Sequence, residues 1–312
     1  LQCLDRLRAR VQLDQHPEMR NSHWHAYPVR CQDLPDAMQG LRWRCVRHLS
    51  VTPAVGLLDE LALGLHAARL ACREVPRLTE RQPDLTLAQA YAVQAAGIAL
   101  RRANGERIVG CKMGLTSEGK RQQMNLHAPV YGVLTDAMQV VDGGALSLGD
   151  AIHCKVEPEI AFRLRLPLRA GMSRAEAWAC VDGVAAALEV LDSRYVGFKY
   201  FSLPDVVADN SSSFRFVVGP WSPAAGLDVR DLALRMAMDG AEVAVGRSAE
   251  ISGDPVVSLV QLGDLAAEYG LTVPAGWVVL SGAATAAVAL TAPGTVALDV
   301  APLARVGFGI VA

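Results

Sequence analysis

The sequence has no CxxC pair. Its seven cysteines, at positions 3, 31, 45, 72, 111, 154 and 180, are scattered and odd in number. That excludes a paired-cysteine zinc or redox motif and predicts free thiols in a reducing, cytoplasmic setting. A basic excess is also missing. Lys and Arg total 30 against 32 Asp and Glu, a net charge of -2, which leaves no electrostatic footprint for nucleic acid and no polybasic membrane patch. There is no P-loop, no GxGxxG after a strand, no GxSxG elbow and no internal repeat. No apolar leader opens the chain, because Asp5, Arg6, Arg8 and Arg10 stand where one would run. The stretch from Val278 to Leu298 is charge-free and long enough to span a bilayer. It is rich in Ala, Gly and Thr and is interrupted by Pro293-Gly294, so it reads as buried strands joined by turns in a soluble protein.

What is present supports a sizeable core: 312 residues, 51% of them hydrophobic. Residues 1–52 differ from the rest, with Trp24, Trp43, several histidines, many arginines and no lysine. Their apolar pattern is weak, and they are read as an extension without assigned function, disordered or non-native. Residues 53–312 read as one catalytic domain, with a helical part over 53–105 and a β-rich core over 106–312. Leu57, Leu58, Leu61, Leu65 and Ala68 recur at helical spacing. Thr86-Leu87-Ala88-Gln89 is a capping box that opens a helix through Arg102, ended by Asn104-Gly105. Arg107 to Leu115 reads as a strand, and Val130 to Leu134 as a short strand or turn. Thr116-Ser117 starts a helix ending near Asn125. Cys111 and Cys154 fall in predicted strands. A second capping box at Ser173, a hairpin at Asp239-Gly240 and a helix from Asp254-Pro255 to Gly270 follow. The balance is α+β.

The stretch with most chemistry in it is Lys155-Val156-Glu157-Pro158-Glu159-Ile160-Ala161-Phe162. Its alternation is that of a β-strand, so Glu157 and Glu159 share a face with Lys155, while Val156, Ile160 and Phe162 take the other. Pro158 cannot donate to a ladder, which predicts an edge strand or a kink. A second apolar strand, Ala187 to Leu191, carries Glu189. Two unit charges about 4 Å apart repel by roughly 4 kcal/mol at an effective dielectric near 20. Three carboxylates drawn together would therefore cost on the order of 10 kcal/mol, as much as a whole domain's stability. Either the acids are apart and solvated, or a hard divalent cation holds them. Oxygen-only ligands suit Mg²⁺ or Mn²⁺, not zinc.

Four motifs then fall in register: Gly110 to Ser117, Lys155 to Phe162, Leu188 to Tyr195, and Val207 to Ser212. Together they resemble the hydratase/decarboxylase branch of the fumarylacetoacetate hydrolase superfamily, over roughly residue 53 to the C-terminus. The resemblance implies a mixed β-sandwich or roll of the fumarylacetoacetase C-terminal type with flanking helices. It implies a metal, Mg²⁺ with Mn²⁺ as the other candidate, on Glu157, Glu159 and Glu189. It further implies a role in meta-cleavage catabolism of aromatic compounds, an oligomer, and association with a homologous hydratase. Hydratases of the branch typically carry Gln-Pro-Asp-Tyr/Phe-Gly after the lysine motif. Here the segment is Ala128-Pro129-Val130-Tyr131-Gly132, with Val130 in the acid's place. That pattern, with Met113, Tyr195 and Phe198-Lys199, is similar to 2-oxo-3-hexenedioate (4-oxalocrotonate) decarboxylases.

The expected reaction is decarboxylation of 2-oxohex-3-enedioate to 2-hydroxypenta-2,4-dienoate. The alternative is hydration of 2-hydroxypenta-2,4-dienoate. A third reading, acylpyruvate hydrolysis, would need water activation, for which His127 and His153 are the nearby candidates; a fourth is a non-catalytic partner subunit. Lys112 is assigned as the protein cation near the developing oxyanion, against a structural pair with Glu157 or Glu159. Val130 would form an apolar wall beside the departing carboxylate. Asn210 and Ser212 are candidates to bind a substrate carboxylate, against helix capping. Thr285 lies in a candidate substrate loop. Arg194 could grip a carboxylate bidentately, against a pair with Asp192 or Glu189.

Overall fold

The computed structural model describes residues 56–117, 128–198 and 202–312. The expectations for residues 1–52, for the helix after Ser117 and for His127 and Lys199 fall outside the described residues. Two helices lead the described chain: α1 (Leu57–Leu70) and α2 (Leu87–Ala103). The Thr86 hydroxyl accepts from the Gln89 N–H while the Gln89 side chain accepts from the Thr86 N–H, so the capping box forms as expected.

The main sheet has nine strands. Its path runs through β2 (Val130–Thr135), β1 (Ile108–Gly114), β11 (Val278–Ala283), β5 (Lys155–Leu164), β6 (Val181–Leu191), β7 (Ser213–Val218) and β3 (Gln139–Val140). Two short strands lie off this path: β12 (Val288–Ala289) pairs with β5, and β8 (Ser222–Pro223) pairs with β6. A second sheet orders β10 (Ala241–Arg247), β9 (Ala233–Met238), β13 (Gly294–Asp299), β14 (Val306–Val311) and β4 (Ala145–Ser147). Three further helices follow, α3 (Arg174–Ala179), α4 (Leu203–Ala208) and α5 (Pro255–Glu268), and one short helical turn (Leu78–Arg81) lies between α1 and α2. Strands with helices on their flanks make the expected α+β class.

The main sheet curls on itself. β2 and β3 are separated by one three-residue turn yet stand at opposite ends of the strand path, so the chain itself draws the ends together. Asn210, in the turn before β7, sews the seam: its Oδ1 accepts from the Val133 N–H at 2.8 Å and its Nδ2 donates to the Val133 carbonyl at 2.9 Å. Gly132 makes that approach possible, because a Cβ there would lie 2.7 Å from the Asn210 carbonyl oxygen.

Inside the curl the room is small and the side chains match it. Leu134, Met138, Ala161, Ala185, Ala187, Phe216 and Leu280 form a dry plug. Alanine at three of these positions leaves space for Phe216 and the leucines. The outer face of the same strands, with Ile160, Phe162, Val184 and Leu188, joins the main core with the helices and the second sheet. Full burial of a side chain of this size contributes about 1.5–3 kcal/mol.

Two expectations are corrected and one holds. β5 is not an edge strand, since it has β6 on one side and β11 and β12 on the other. Pro158 is tolerated because the β11 register shifts opposite it, and its carbonyl is met by the Ala284 N–H at 3.0 Å. Cys154 is buried just before β5 rather than within a strand; like Cys111 in β1 it is a free thiol. The charge-free stretch from Val278 supplies β11, β12 and part of β13, and no described helix is long and apolar enough to cross a membrane.

Candidate metal centre

Antiparallel pairing of β5 with β6 sets Glu157 directly opposite Glu189, with Glu159 one step along the same face. Each of the three acids brings a carboxylate oxygen within 4.8 Å of the other two. Glu159 and Glu189 are 0% and 1% exposed, so the reading of a wet sheet face does not hold. Burial first, then the charge of Glu189, pushes the Glu159 carboxyl well above the ordinary range, against the pull of Lys112. Glu159 Oε2 accepts from the Gly282 N–H at 2.8 Å, while its buried Oε1 has no hydrogen-bond partner among the described residues. Gly282 takes φ +111° at the β11 bulge, and a Cβ there would meet the Thr116 hydroxyl at 2.3 Å.

Lys112 reaches Glu189, an acid that the alternative of a structural pair with Glu157 or Glu159 did not name. Its Nζ lies 3.0 Å from Oε1, off the line of a hydrogen bond, and donates to Oε2 at 3.3 Å. Sequence adjacency hides this contact, because β1 and β6 are three steps apart in the sheet and meet across the curl. Of the two fully buried carboxylates only Glu189 has the ammonium in contact, and each keeps an oxygen without a hydrogen bond among the described residues, which fits a divalent cation. The donors are all oxygen, which fits Mg²⁺ or Mn²⁺. Beside the acids is a cavity of about 130 Å³ lined by Lys112, Gly114, Thr116, Glu157, Leu191 and Ser211.

No family model matches the chain. Individual proteins do. A 4-oxalocrotonate decarboxylase of a Pseudomonas species is 42% identical over 251 residues, 80% of this chain and 97% of its own length. A 2-keto-4-pentenoate hydratase of Burkholderia vietnamiensis is 35% identical over 253 residues, 80% and 95% of the two chains. The chain belongs to the hydratase/decarboxylase branch of the fumarylacetoacetate hydrolase superfamily. The solved 4-oxalocrotonate decarboxylase from Pseudomonas putida G7, complexed with magnesium and adipate, superposes with a TM-score of 0.79 at 36% identity, covering 81% of this chain and 97% of that one. A fumarylpyruvate hydrolase from Pseudomonas aeruginosa, complexed with Mn²⁺ and pyruvate, shares the fold alone, at a TM-score of 0.53 and 13% identity over 65% of this chain and 89% of that one.

The remaining candidates of this branch member divide. Val130 is fully buried on the face that carries Lys112, opposite Gly114 in register. Its Cγ2 and Lys112 Nζ lie 3.3 and 3.7 Å from the point a Gly114 Cβ would occupy, so the two side chains are neighbours. Ser212 is fully buried, and its hydroxyl has no partner among the described residues. Ser211, which the sequence did not single out, lines the cavity and donates to the Tyr131 carbonyl at 3.0 Å. Its signal was the polar run itself: Asn210, Ser211 and Ser212 all adopt left-handed backbone, with φ of 50°, 51° and 59°.

Arg194 is not presented to the cavity. It is clamped by Asp209, whose carboxylate takes both the guanidinium and the Arg194 N–H, rather than by Asp192 or Glu189. Asp192 instead accepts from the Ile152 and His153 N–H groups. Asn210 directs one amide N–H and one Oδ1 lone pair to the seam. Thr285 sits on the β11–β12 connection outside the cavity lining, its hydroxyl donating to the Ala286 carbonyl at 3.0 Å. His153 is held by Glu74 at 3.1 Å and by the Ser193 carbonyl at 2.7 Å, which leaves it poorly placed to activate water.

Proposed function

We propose that this protein is a Mg²⁺-dependent carboxy-lyase converting 2-oxohex-3-enedioate to 2-hydroxypenta-2,4-dienoate and CO₂. The observation that carries the reading is the buried Glu159–Glu189–Lys112 group with apolar Val130 beside it. Glu157, Glu159 and Glu189 would hold the metal, and Mn²⁺ suits the same donors. When bound, the ion supplies Lewis-acid polarisation of a 2-oxo acid.

The reaction breaks the C5–C6 bond. Its electron pair moves through the C3–C4 alkene to the C2 oxygen, which takes up one proton. Lys112 is the cation placed to stabilise that oxygen and to hand it a proton. Val130 removes a charge from the wall near which the C6 carboxylate would lie. A carboxylate there would repel the leaving group and hold water. Ser211 brings a hydroxyl to the cavity lining, and the neighbouring Ser212 has a buried hydroxyl with no partner among the described residues. The catalytic domain is residues 53–312, in a cytoplasmic protein. It self-associates and docks on a homologous hydratase, for which its product would be the substrate.

The test is turnover of two compounds by purified protein with Mg²⁺. CO₂ release from 2-oxohex-3-enedioate, without ultraviolet loss of 2-hydroxypenta-2,4-dienoate, is the expected result. Loss of the dienoate without CO₂ from the diacid would establish the hydratase reading, which the relatives at 33–35% identity keep in view.

A further inference from the structure

On the far side of the Asn210–Ser212 turn, α1 and α2 roof a second cavity of about 50 Å³. A single water needs roughly 10–15 Å³, so there is room for a small ion with its water, but not for a coenzyme or a sugar phosphate. Its walls carry His66 and Arg69 from α1, Arg101 from α2, and Arg194 and Asp209 beneath. None of these residues belongs to the acid trio.

The charges here nearly cancel. Arg101 Nε donates to Glu106 at 2.8 Å, and Arg194 is clamped by Asp209. Arg69 is left over. It has no acid partner among the described residues, and its buried Nε has no hydrogen-bond partner. Burial first, then Arg101, pulls its pKa down to about 10, with Arg194 and Arg215 acting in the same direction and Glu106 against it. His66, 6% exposed, is pushed down to about 4 by burial and by Arg69 and Arg101, so it is a neutral N–H donor at pH 7. A half-buried cation whose buried Nε is unused, beside a neutral donor and two saturated ion pairs, lacks one negative charge among the described residues.

We propose that this cavity binds one small monovalent anion, a halide or bicarbonate, on Arg69. Asn210 lines this cavity and Ser211 lines the catalytic one, so a single turn separates the two sites. The anion would complete the charge balance beneath that turn. The proposal does not depend on the reaction assigned to the acids.

The probes are sodium chloride and sodium bicarbonate, each exchanged against sodium gluconate at constant ionic strength; gluconate is too bulky to enter. Chloride should broaden the ³⁵Cl resonance in the presence of the wild-type protein and raise its Tm by about 3 °C near tenfold saturation. Bicarbonate should reverse the broadening if it is the preferred ion, and should fail to if the site is a halide site. Arg69→Met should abolish both responses, and Arg69→Gln serves as the second variant should the first not fold. Broadening and Tm shifts unchanged in these variants, or a wild-type protein indifferent to both anions, would overturn the proposal.

Discussion

Inside the curled sheet, two buried acids have one lysine beside them, in contact with Glu189, and Glu159 and Glu189 each keep an oxygen with no hydrogen bond among the described residues. Just outside it, Arg101 and Arg194 each have an acid of their own, and the Arg194 guanidinium also donates to the carbonyls of Asp192 and Asp209. Both regions are buried and densely charged, but only the second is nearly saturated. A buried pair with its hydrogen bonds complete is a structural part. A buried group with a charge to spare is built for something that arrives from solution. The contrast assigns chemistry to the trio and architecture to Arg194, although both looked like site candidates in the sequence.

The contrast breaks first at the unsaturated end. Glu189→Gln should lower Mg²⁺ affinity and cut turnover on the order of 10³-fold, while stability without metal holds or rises because acid repulsion is relieved. Metal titration and denaturant melts check both halves. At the saturated end the effects should exchange places. Arg194→Met strands Asp209 and should destabilise the fold by about 3–5 kcal/mol, whereas Arg194→Met combined with Asp209→Leu should recover much of it. Urea unfolding of the two variants decides the matter. Val130→Asp tests the apolar side chain beside Lys112: decarboxylation should fall about 100-fold, the cost of one like charge near the leaving carboxylate. Unchanged turnover would remove Val130 from the reaction.

How far the sequence could be read follows the same division. The period-two alternation around Glu157 and Glu159 was legible because a strand face is set locally, and so were the Thr86 and Ser173 caps. The partner of Lys112 was not, because the lysine meets Glu189 across a curl that depends on Gly132 and Asn210 closing the seam. The partner of Arg194 was missed for a similar reason: Asp209 lies 15 residues on, brought back by α4. Pro158 misled because a proline marks a missing donor but does not say whether an edge or a bulge accommodates it.

The smallest predicted effect concerns pH. His66 has its folded pKa depressed to about 4 from 6.5, so the unfolded chain binds more protons between those values. Its contribution to stability is therefore complete above pH 6.5 and is lost as pH falls toward 4. Asp209, raised to about 6 by burial, acts with the opposite sign between 6 and 3.8 and offsets part of the loss. His66→Asn should flatten the decline in urea-measured stability from pH 6.5 to 4; an unaltered decline would place its origin elsewhere.

The central claim, that the buried acids grip one divalent ion, is tested most directly by counting bound Mn²⁺ by electron paramagnetic resonance in metal-stripped wild-type protein and in Glu159→Gln. The expected result is one tight Mn²⁺ per chain in the wild type, displaced by Mg²⁺, and none in the variant. Tight Mn²⁺ binding that survives Glu159→Gln, or no tight binding in the wild type, would contradict the account.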